Sequence, residues 1–378
     1  MPTLNVMVVL GTRPEAIKLA PVIRTLQRRA DRIRTLVCST GQHREMLDAA
    51  LRSFAIRLDF DLQLMRPDQS LADSTARILA ALDAVFNDAR PDWVLTQGDT
   101  TTAMAASLAA FYRRIRIGHV EAGLRSGNLQ QPFPEEANRR IADLLADLHF
   151  APTATARDHL LREGIPAERI IVTGNTVVDA LLITSRRINA RALIERIGEL
   201  GTRDDCFRKR MILVTAHRRE SFGAPFANIC RALRTIAERY PDVQIVYPVH
   251  YNPNIAGPAQ ALLSGVPNIA LIRPVDYETM IALMQHAYLI LTDSGGIQEE
   301  APSLHKPVLI LREVTERPEV VTLGAARLVG SHPDRIVAEA SRLLDDREAY
   351  RRMTSVENPY GDGRASERIV EAILARDS

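Results

Sequence analysis

Four ionisable residues of this chain stand directly after short apolar segments and are candidates for acid–base catalysis. They are Asp99 in QGDTTT, Glu121 in GHVEAGLR, Glu135 in PFPEE and His217 in TAHRRES. Carboxylates and imidazoles transfer protons near neutral pH when their surroundings tune them. Each also has a structural interpretation: Asp99 as a helix N-cap, Glu135 as a favourable charge at a helix start, and His217 as a hydrogen-bonded residue at a strand end. Their recurrence at strand ends favours a catalytic interpretation of the set.

A glycine-rich segment, TDSGGIQEE, also follows an apolar run and opens a predicted helix. Unbonded backbone amides at a helix start bind anions, and glycine allows a phosphate to approach closely. Ser294, Gly295 and Gly296 therefore predict a diphosphate site, and Glu300, one helical turn further on, could reach a ribose diol. The structural alternative is a glycine turn capped by a serine.

The segment GTRPEAIK, at 11–18, follows the first apolar run. Its proline suits the first turn of a helix, so Arg13 and Lys18 lie close to a helix N-terminus, where anions are favoured. A plain turn with two solvated cations explains the same local pattern equally well.

Motifs for cofactors and metals are missing from the sequence. Neither G-x-G-x-x-G nor G-x-x-x-x-G-K-[ST] occurs, so no NAD or ATP docking motif is visible. Asp59 and Asp61 form a DxD pair, as in some metal-dependent glycosyltransferases, but the flanking alternation is typical of a strand. The cysteines Cys38, Cys206 and Cys230 form no CxxC pair or cluster. We therefore predict no cofactor and no metal.

These candidates can act together only on a scaffold that brings strand ends close to one another. The chain alternates apolar runs with helical patterns, which is typical of parallel βαβ folds. Nine strands are predicted, over 6–10, 35–39, 93–97, 115–120, 211–215, 244–248, 268–272, 288–292 and 307–311. The restart of the pattern after the middle of the chain predicts two Rossmann-like domains. The first comprises 1–174 with a C-terminal helix in 360–378, and the second comprises 175–359.

Composition limits the partners. The chain has 378 residues, 46% of them hydrophobic, and a formal net charge of +2. This balance provides no excess positive charge for nucleic acid or for a membrane surface. The first apolar run, 6–10, is too short for a signal peptide or a membrane span, which predicts a cytoplasmic protein.

The motifs above occur in order along almost the whole chain, together with QHREM, TGNTV, YPVH and TERPE. In this the chain resembles the non-hydrolysing UDP-N-acetylglucosamine 2-epimerases. The resemblance implies two Rossmann-like domains with a cleft between them, as in glycosyltransferase-B folds. It also implies a C-terminal helix that crosses back to the first domain, and a homodimer.

Residue roles follow from the same resemblance. Asp99, Glu121, Glu135 and His217 match the family's catalytic positions. The positions that match its UDP-sugar contacts are Arg13, Lys18, Val275, Met280, Ser294, Gly295, Gly296, Glu300 and Arg317. Positions that some members use for an activating second substrate molecule are Gln42, Arg218 and His250. Val275 and Met280 depart from the glutamine and aromatic residue of relatives, which weakens any side-chain stack on uracil.

The resemblance implies reversible inversion of C2 of UDP-N-acetylglucosamine, giving UDP-N-acetylmannosamine for cell-surface polysaccharide synthesis. The route is elimination of UDP to 2-acetamidoglucal and its re-addition. Two alternatives remain open at this point: a hydrolysing epimerase that releases N-acetylmannosamine and UDP, and a glycosyltransferase of the same fold.

Overall fold

The computed structural model describes residues 3–41, 44–66, 69–198 and 209–377, with backbone only for 44–46 and 198. The chain divides into two compact units, Met1–Ala180 with Tyr360–Ser378, and Leu181–Pro359. Each is an α/β unit built on its own parallel sheet.

In the described part of the first unit, seven parallel strands form one sheet in the order β3-β2-β1-β4-β5-β6-β7. The strands are β1 Leu4–Leu10, β2 Ile33–Ser39, β3 Phe60–Asp61, β4 Trp93–Gln97, β5 Arg116–Val120, β6 Leu148–Ala151 and β7 Ile170–Val172. Helices cover both faces, so central strands are continuous apolar runs; Val6, Val8 and Leu10 are all fully buried. The helices are α1 Arg13–Gln27, α2 Arg44–Ser53, α3 Leu71–Ala89, α4 Thr101–Tyr112, α5 Glu135–Leu145 and α6 Ala154–Arg162.

The second unit repeats this design with six described parallel strands in the order β10-β9-β8-β11-β12-β13. The strands are β8 Arg210–Thr215, β9 Val243–Pro248, β10 Ile269–Ile272, β11 Leu289–Thr292, β12 Val308–Ile310 and β13 Ala326–Leu328. The helices after α7 Thr176–Arg187 are α8 Ala190–Gly198, α9 Ala224–Arg239, α10 Pro253–Leu263, α11 Tyr277–His286, α12 Gly295–Glu300, α13 Pro318–Thr322, α14 Pro333–Asp345 and α15 Arg347–Thr354.

The last helix, α16 Ala365–Arg376, belongs to the first unit and packs against α1. The buried Asp179 carboxylate accepts hydrogen bonds from the amides of Ala365 (3.1 Å) and Ser366 (2.8 Å), which fixes the start of α16. At Gly174, φ is +88° and an added Cβ would lie 3.0 Å from the Tyr360 carbonyl oxygen, so only glycine fits. The predicted return of the C-terminal helix to the first domain is confirmed.

Every predicted strand overlaps an observed one, and the two Rossmann-like sheets are confirmed. The strands β3, β6, β7 and β13 are not among the nine predicted. Each has only two to four residues, too few to show a period, and β6 contains the polar but fully buried His149. None of the described helices is long and apolar enough to cross a membrane.

Candidate active site

Three of the first-unit candidates lie at the carboxyl ends of neighbouring strands, whereas Glu135 begins α5 well beyond β5. Asp99 follows β4, Glu121 follows β5, and Arg13 begins α1 just after β1. Because β1, β4 and β5 are adjacent in the sheet, their carboxyl ends share one edge, which is where open parallel sheets bind ligands. The sheet order thus brings together residues that are more than a hundred positions apart.

Glu121 is held from two directions in an unusual backbone conformation. Its φ is +65°, in the left-handed region that non-glycine residues rarely adopt and that is enriched at functional sites. The side chain is 8% exposed; it forms an ion pair with Lys18 and accepts a hydrogen bond from Asn175 Nδ2 at 3.0 Å. The structure therefore joins a predicted substrate contact, Lys18, to a predicted catalytic carboxylate, Glu121.

Asp99 lies between the end of β4 and the start of α4. Its carboxylate forms an ion pair with Arg139 of α5, and its backbone carbonyl accepts a hydrogen bond from Asn138 Nδ2 at 3.0 Å. The next residue, Thr100, is the N-cap of α4 and accepts from the Ala103 amide. Asp99 is therefore not the cap, which removes the structural interpretation that competed with a catalytic one.

The first βα turn is tied to the Asp99 loop by a buried carboxylate that the sequence analysis did not single out. Glu15 accepts hydrogen bonds from the Thr12 amide at 2.7 Å and from Thr100 Oγ1 at 2.7 Å. Burial raises the pKa of Glu15, against the lowering effect of these donors. The detectable signal was the capping box that Thr12 and Glu15 form at the start of α1.

Two adjacent glutamates at the start of α5 play different parts. Glu136 is fully buried and accepts from the Ser126 amide (3.0 Å) and from Arg140 Nε (3.0 Å). Burial raises its pKa, but these donors and Arg139 bring the net pKa below its ordinary value. Glu135 is half-buried, and within the described ranges its side chain forms no hydrogen bond or ion pair. Glu136 is thus structural, whereas the Glu135 carboxylate is available for chemistry.

In the second unit, His217 follows β8 and stands beside a buried aspartate from the neighbouring strand β11. Asp293 Oδ2 accepts from the amides of His217 (2.6 Å) and Arg218 (2.7 Å), and Oδ1 lies 3.5 Å from His217 Nδ1. The His217 ring stacks on His250, with centroids 5.7 Å apart. Burial, His250 and Arg218 lower the pKa of His217 despite Asp293, so its neutral imidazole predominates at neutral pH.

The predicted diphosphate turn follows β11 on the same sheet edge as His217. Ser294 is the N-cap of α12 and forms no side-chain cap bond, and Gly295 and Gly296 make its first turn. A Cβ added to Gly295 would lie 3.5 Å from the Arg317 guanidinium carbon and 3.7 Å from an Arg218 guanidinium nitrogen. Two guanidinium groups therefore converge on glycine amides at a helix start, an arrangement suited to a diphosphate.

The predicted ribose and base contacts lie on neighbouring elements of this unit. Glu300 at the end of α12 is buried and accepts a hydrogen bond from the Tyr277 hydroxyl at 2.9 Å. Val275 precedes α11 and Met280 lies within it, both half-buried. Tyr277 was missed because nothing in its local sequence links it to Glu300.

The predicted activator residues fall in three places. His250 stacks on His217, and Arg218 lies beside Gly295. Gln42 lies outside the described residues.

Comparison with known proteins places this geometry in a family. The family model described as UDP-N-acetylglucosamine 2-epimerase matches residues 24–374. The chain belongs to the UDP-N-acetylglucosamine 2-epimerase family. It is 54% identical over 375 residues to the UDP-N-acetylglucosamine 2-epimerase of Yersinia pestis, covering 98% of each chain.

Solved structures share the fold over almost the whole chain. The UDP-GlcNAc 2-epimerase of Neisseria meningitidis, solved with UDP-GlcNAc bound, is 48% identical, with a TM-score of 0.90 over 98% of this chain and 100% of that one. The S. aureus MnaA structure with UDP is 42% identical, with a TM-score of 0.87 over 99% and 97%. The predicted family and its fold are therefore confirmed.

Proposed function

We propose that this protein interconverts UDP-N-acetylglucosamine and UDP-N-acetylmannosamine by inverting C2, and that the product supplies cell-surface polysaccharide synthesis. The observation that carries the proposal is the edge of the second sheet, where the Gly295–Gly296 turn and two arginines stand beside a neutral histidine. Adjacent loops thus supply both the groups that bind a diphosphate leaving group and a side chain that can donate or accept a proton. Membership of the epimerase family, and the UDP-GlcNAc bound by the Neisseria meningitidis relative, support the substrate.

The reaction proceeds by elimination and re-addition. The C2 proton is not next to a carbonyl group, so direct enolisation is unavailable. A base takes that proton while the C1–O bond breaks and its electron pair leaves with UDP, giving 2-acetamidoglucal with a C1–C2 double bond. Protonation on the opposite face of C2 and attack of the UDP oxygen on C1 complete the inversion. The chemistry needs a base, an acid and stabilisation of the departing diphosphate.

Residues of the second unit bind the departing UDP in this proposal. The amides of Gly295 and Gly296 and the guanidinium group of Arg317 stabilise the negative charge that develops on the diphosphate. Glu300 binds the ribose, and the segment of Val275 and Met280 contacts uracil. His217, with its neutral ring, transfers a proton, and Ser294 lines the turn. An activating second substrate molecule is proposed at Arg218, His250 and Gln42.

The first unit supplies the carboxylates. Asp99 is paired with Arg139 and Glu121 with Lys18, and we assign both carboxylates to the proton transfers at C2. Glu135 has no such partner within the described ranges, which leaves its carboxylate open to contact the sugar. Arg13 and Lys18 complete the contacts to the UDP-sugar.

A single incubation tests this function and separates its rivals. UDP-N-acetylglucosamine alone, in deuterium oxide without added NAD or metal, should give a mixture of the two UDP-sugars with deuterium at C2 of both, read by NMR. Release of free sugar would identify a hydrolysing epimerase, and no change without an acceptor would favour a glycosyltransferase. Product that keeps its original C2 hydrogen at full equilibrium would overturn elimination through a solvent-exchanging base.

We further propose that the protein is a cytoplasmic homodimer. The large apolar side chains Phe111 and Tyr112 on α4 and Leu144 on α5 are 53%, 66% and 75% exposed, and α4 packs against α5. Large apolar side chains exposed on two neighbouring helices suit a protein interface. A charged nucleotide sugar as substrate and the free, buried Cys38 and Cys230 suit the cytoplasm.

Leu144→Glu should convert the dimer to a folded monomer, because the charge would be desolvated at the interface while the monomer leaves this position open to water. Sedimentation velocity measures the change. Leu161→Glu, a 41% exposed leucine on α6, is the matched control and should remain dimeric. A Leu144→Glu variant that sediments as the parent would exclude this face.

A further inference from the structure

A buried histidine lies behind the loops that carry Asp99 and Glu121. His119 is on β5, fully buried, with Nδ1 2.6 Å from Asp143 Oδ1 and Nε2 2.8 Å from the Gly98 carbonyl oxygen. An ionised carboxylate and a carbonyl are both acceptors only, so each ring nitrogen must donate. The contacts therefore require His119 to be an imidazolium.

Asp143 is ionised, which this argument requires. Its carboxylate also accepts from Arg125 at 2.7 Å and from the Gly123 amide at 3.2 Å. Burial raises the pKa of Asp143, but His119 and Arg125 hold it at about 2. For His119, burial alone would lower the pKa, and the Asp143 carboxylate and Gly98 carbonyl raise it above its ordinary value.

The charged groups around His119 and Asp143 sum to no net charge. Arg125 also binds the Glu163 carboxylate (2.7 Å), so His119, Arg125, Asp143 and Glu163 carry two positive and two negative charges. The second buried ring, His149, donates from Nε2 to the Asp143 carbonyl at 2.7 Å, whereas its Nδ1 is 3.4 Å from a carbonyl. Burial lowers the pKa of His149, so that ring is neutral and provides an internal comparison.

The pair connects the two catalytic loops. His119 binds the carbonyl of Gly98, directly before Asp99, and Asp143 binds the amide of Gly123, two residues after Glu121. Gly98, Glu121 and Gly123 all have positive φ, at +72°, +65° and +83°. Gly98 and Gly123 adopt this conformation freely, whereas Glu121, a non-glycine residue, keeps it only when its surroundings hold it. One buried ion pair thus holds both loops in place.

We propose that His119 and Asp143 are positioning residues for Asp99 and Glu121, and that activity depends on the charge of His119. The proposal rests on the proposed function for its kinetic part. When His119 loses its proton, one ring nitrogen becomes an acceptor facing an acceptor, and one loop is released. Since the His119 pKa is raised by folding, the stabilisation is complete only below the ordinary histidine pKa of about 6.5, and it is lost as pH rises from there through the folded pKa.

The protonation state can be measured without any activity. In the protein labelled with 15N-histidine, NMR should show both His119 ring nitrogens protonated at neutral pH. In Asp143→Asn the carboxamide can donate to Nδ1, so His119 should become neutral while the hydrogen-bonded chain survives. A wild-type His119 with one unprotonated ring nitrogen at neutral pH would overturn the inference, whatever reaction the protein catalyses.

Kinetics test the positioning role. His119→Gln cannot reach both partners, so kcat should fall about ten- to a hundredfold, as small misplacements of catalytic groups do, with UDP affinity unchanged. In Asp143→Asn the neutral ring keeps both contacts, so the alkaline limb that His119 sets should disappear from the kcat profile. His149→Gln, equally buried on the next strand, should leave that limb in place. The positioning role would be refuted if kcat were unchanged in His119→Gln and the alkaline limb persisted unmoved in Asp143→Asn. It would also be refuted if only His149→Gln lost the alkaline limb.

Discussion

Replacing Asp99 by Asn, Glu121 by Gln, Glu135 by Gln and His217 by Asn, one at a time, should lower turnover at least about a hundredfold in most of the four variants. Each change removes proton transfer or charge with little change of volume. In Glu121→Gln the glutamine carboxamide oxygen can still accept the hydrogen bond from Asn175. Glutamine has the same shape as glutamate, so the left-handed backbone at position 121 is strained no further. The loss of activity would therefore report chemistry rather than unfolding.

UDP affinity separates that interpretation from a general loss of structure. Titration calorimetry should show UDP binding almost unchanged in the first-unit variants, since the proposed diphosphate turn lies in the second unit. Glu371→Gln, an exposed carboxylate on α16, serves as the matched control and should keep parental turnover. Near-normal turnover in all four variants would mean that these are structural residues.

The positions of the candidate residues could be predicted from sequence because they depend on local patterns. Strand endings place Asp99 after β4, Glu121 after β5 and His217 after β8, and a parallel sheet places strand ends at one edge. The glycine turn at Gly295 is equally local.

The contacts between these residues could not be predicted, because they depend on sheet order. The Lys18–Glu121 pair forms only because β1 and β5 flank β4, and the His217–His250 stack only because β9 lies beside β8. The acceptors around His119 come from a strand end and from the last turn of α5, which no motif spacing connects. Local patterns therefore identified the reacting groups but not the groups that hold them.

The diphosphate turn gives the second large effect: Gly296→Val should weaken UDP binding about ten- to a hundredfold while the protein stays folded. A Cβ at Gly296 would meet no atom closer than Ser294 Oγ at 4.0 Å, and φ is not positive there, so the chain itself tolerates a side chain. The added methyl groups would instead occupy the place of the phosphate oxygens. A lost hydrogen bond to a charged group costs about 1.5–3 kcal/mol, which corresponds to that range.

The matched control for this experiment is Gly257→Val. Gly257 is an exposed helical glycine in α10 of the same unit, and outside its chain neighbours and its own helical turn an added Cβ would likewise meet no atom within 4 Å. Both variants remove a glycine and add the same side chain, so a difference between them in calorimetric UDP affinity isolates the turn. If both folded variants bound UDP with the affinity of the parent protein, the diphosphate would not bind at Ser294–Gly296, and the leaving-group site would lie elsewhere. Weakened binding in Gly296→Val alone would fix the phosphates at the start of α12, between the guanidinium groups of Arg218 and Arg317 and next to the ring of His217.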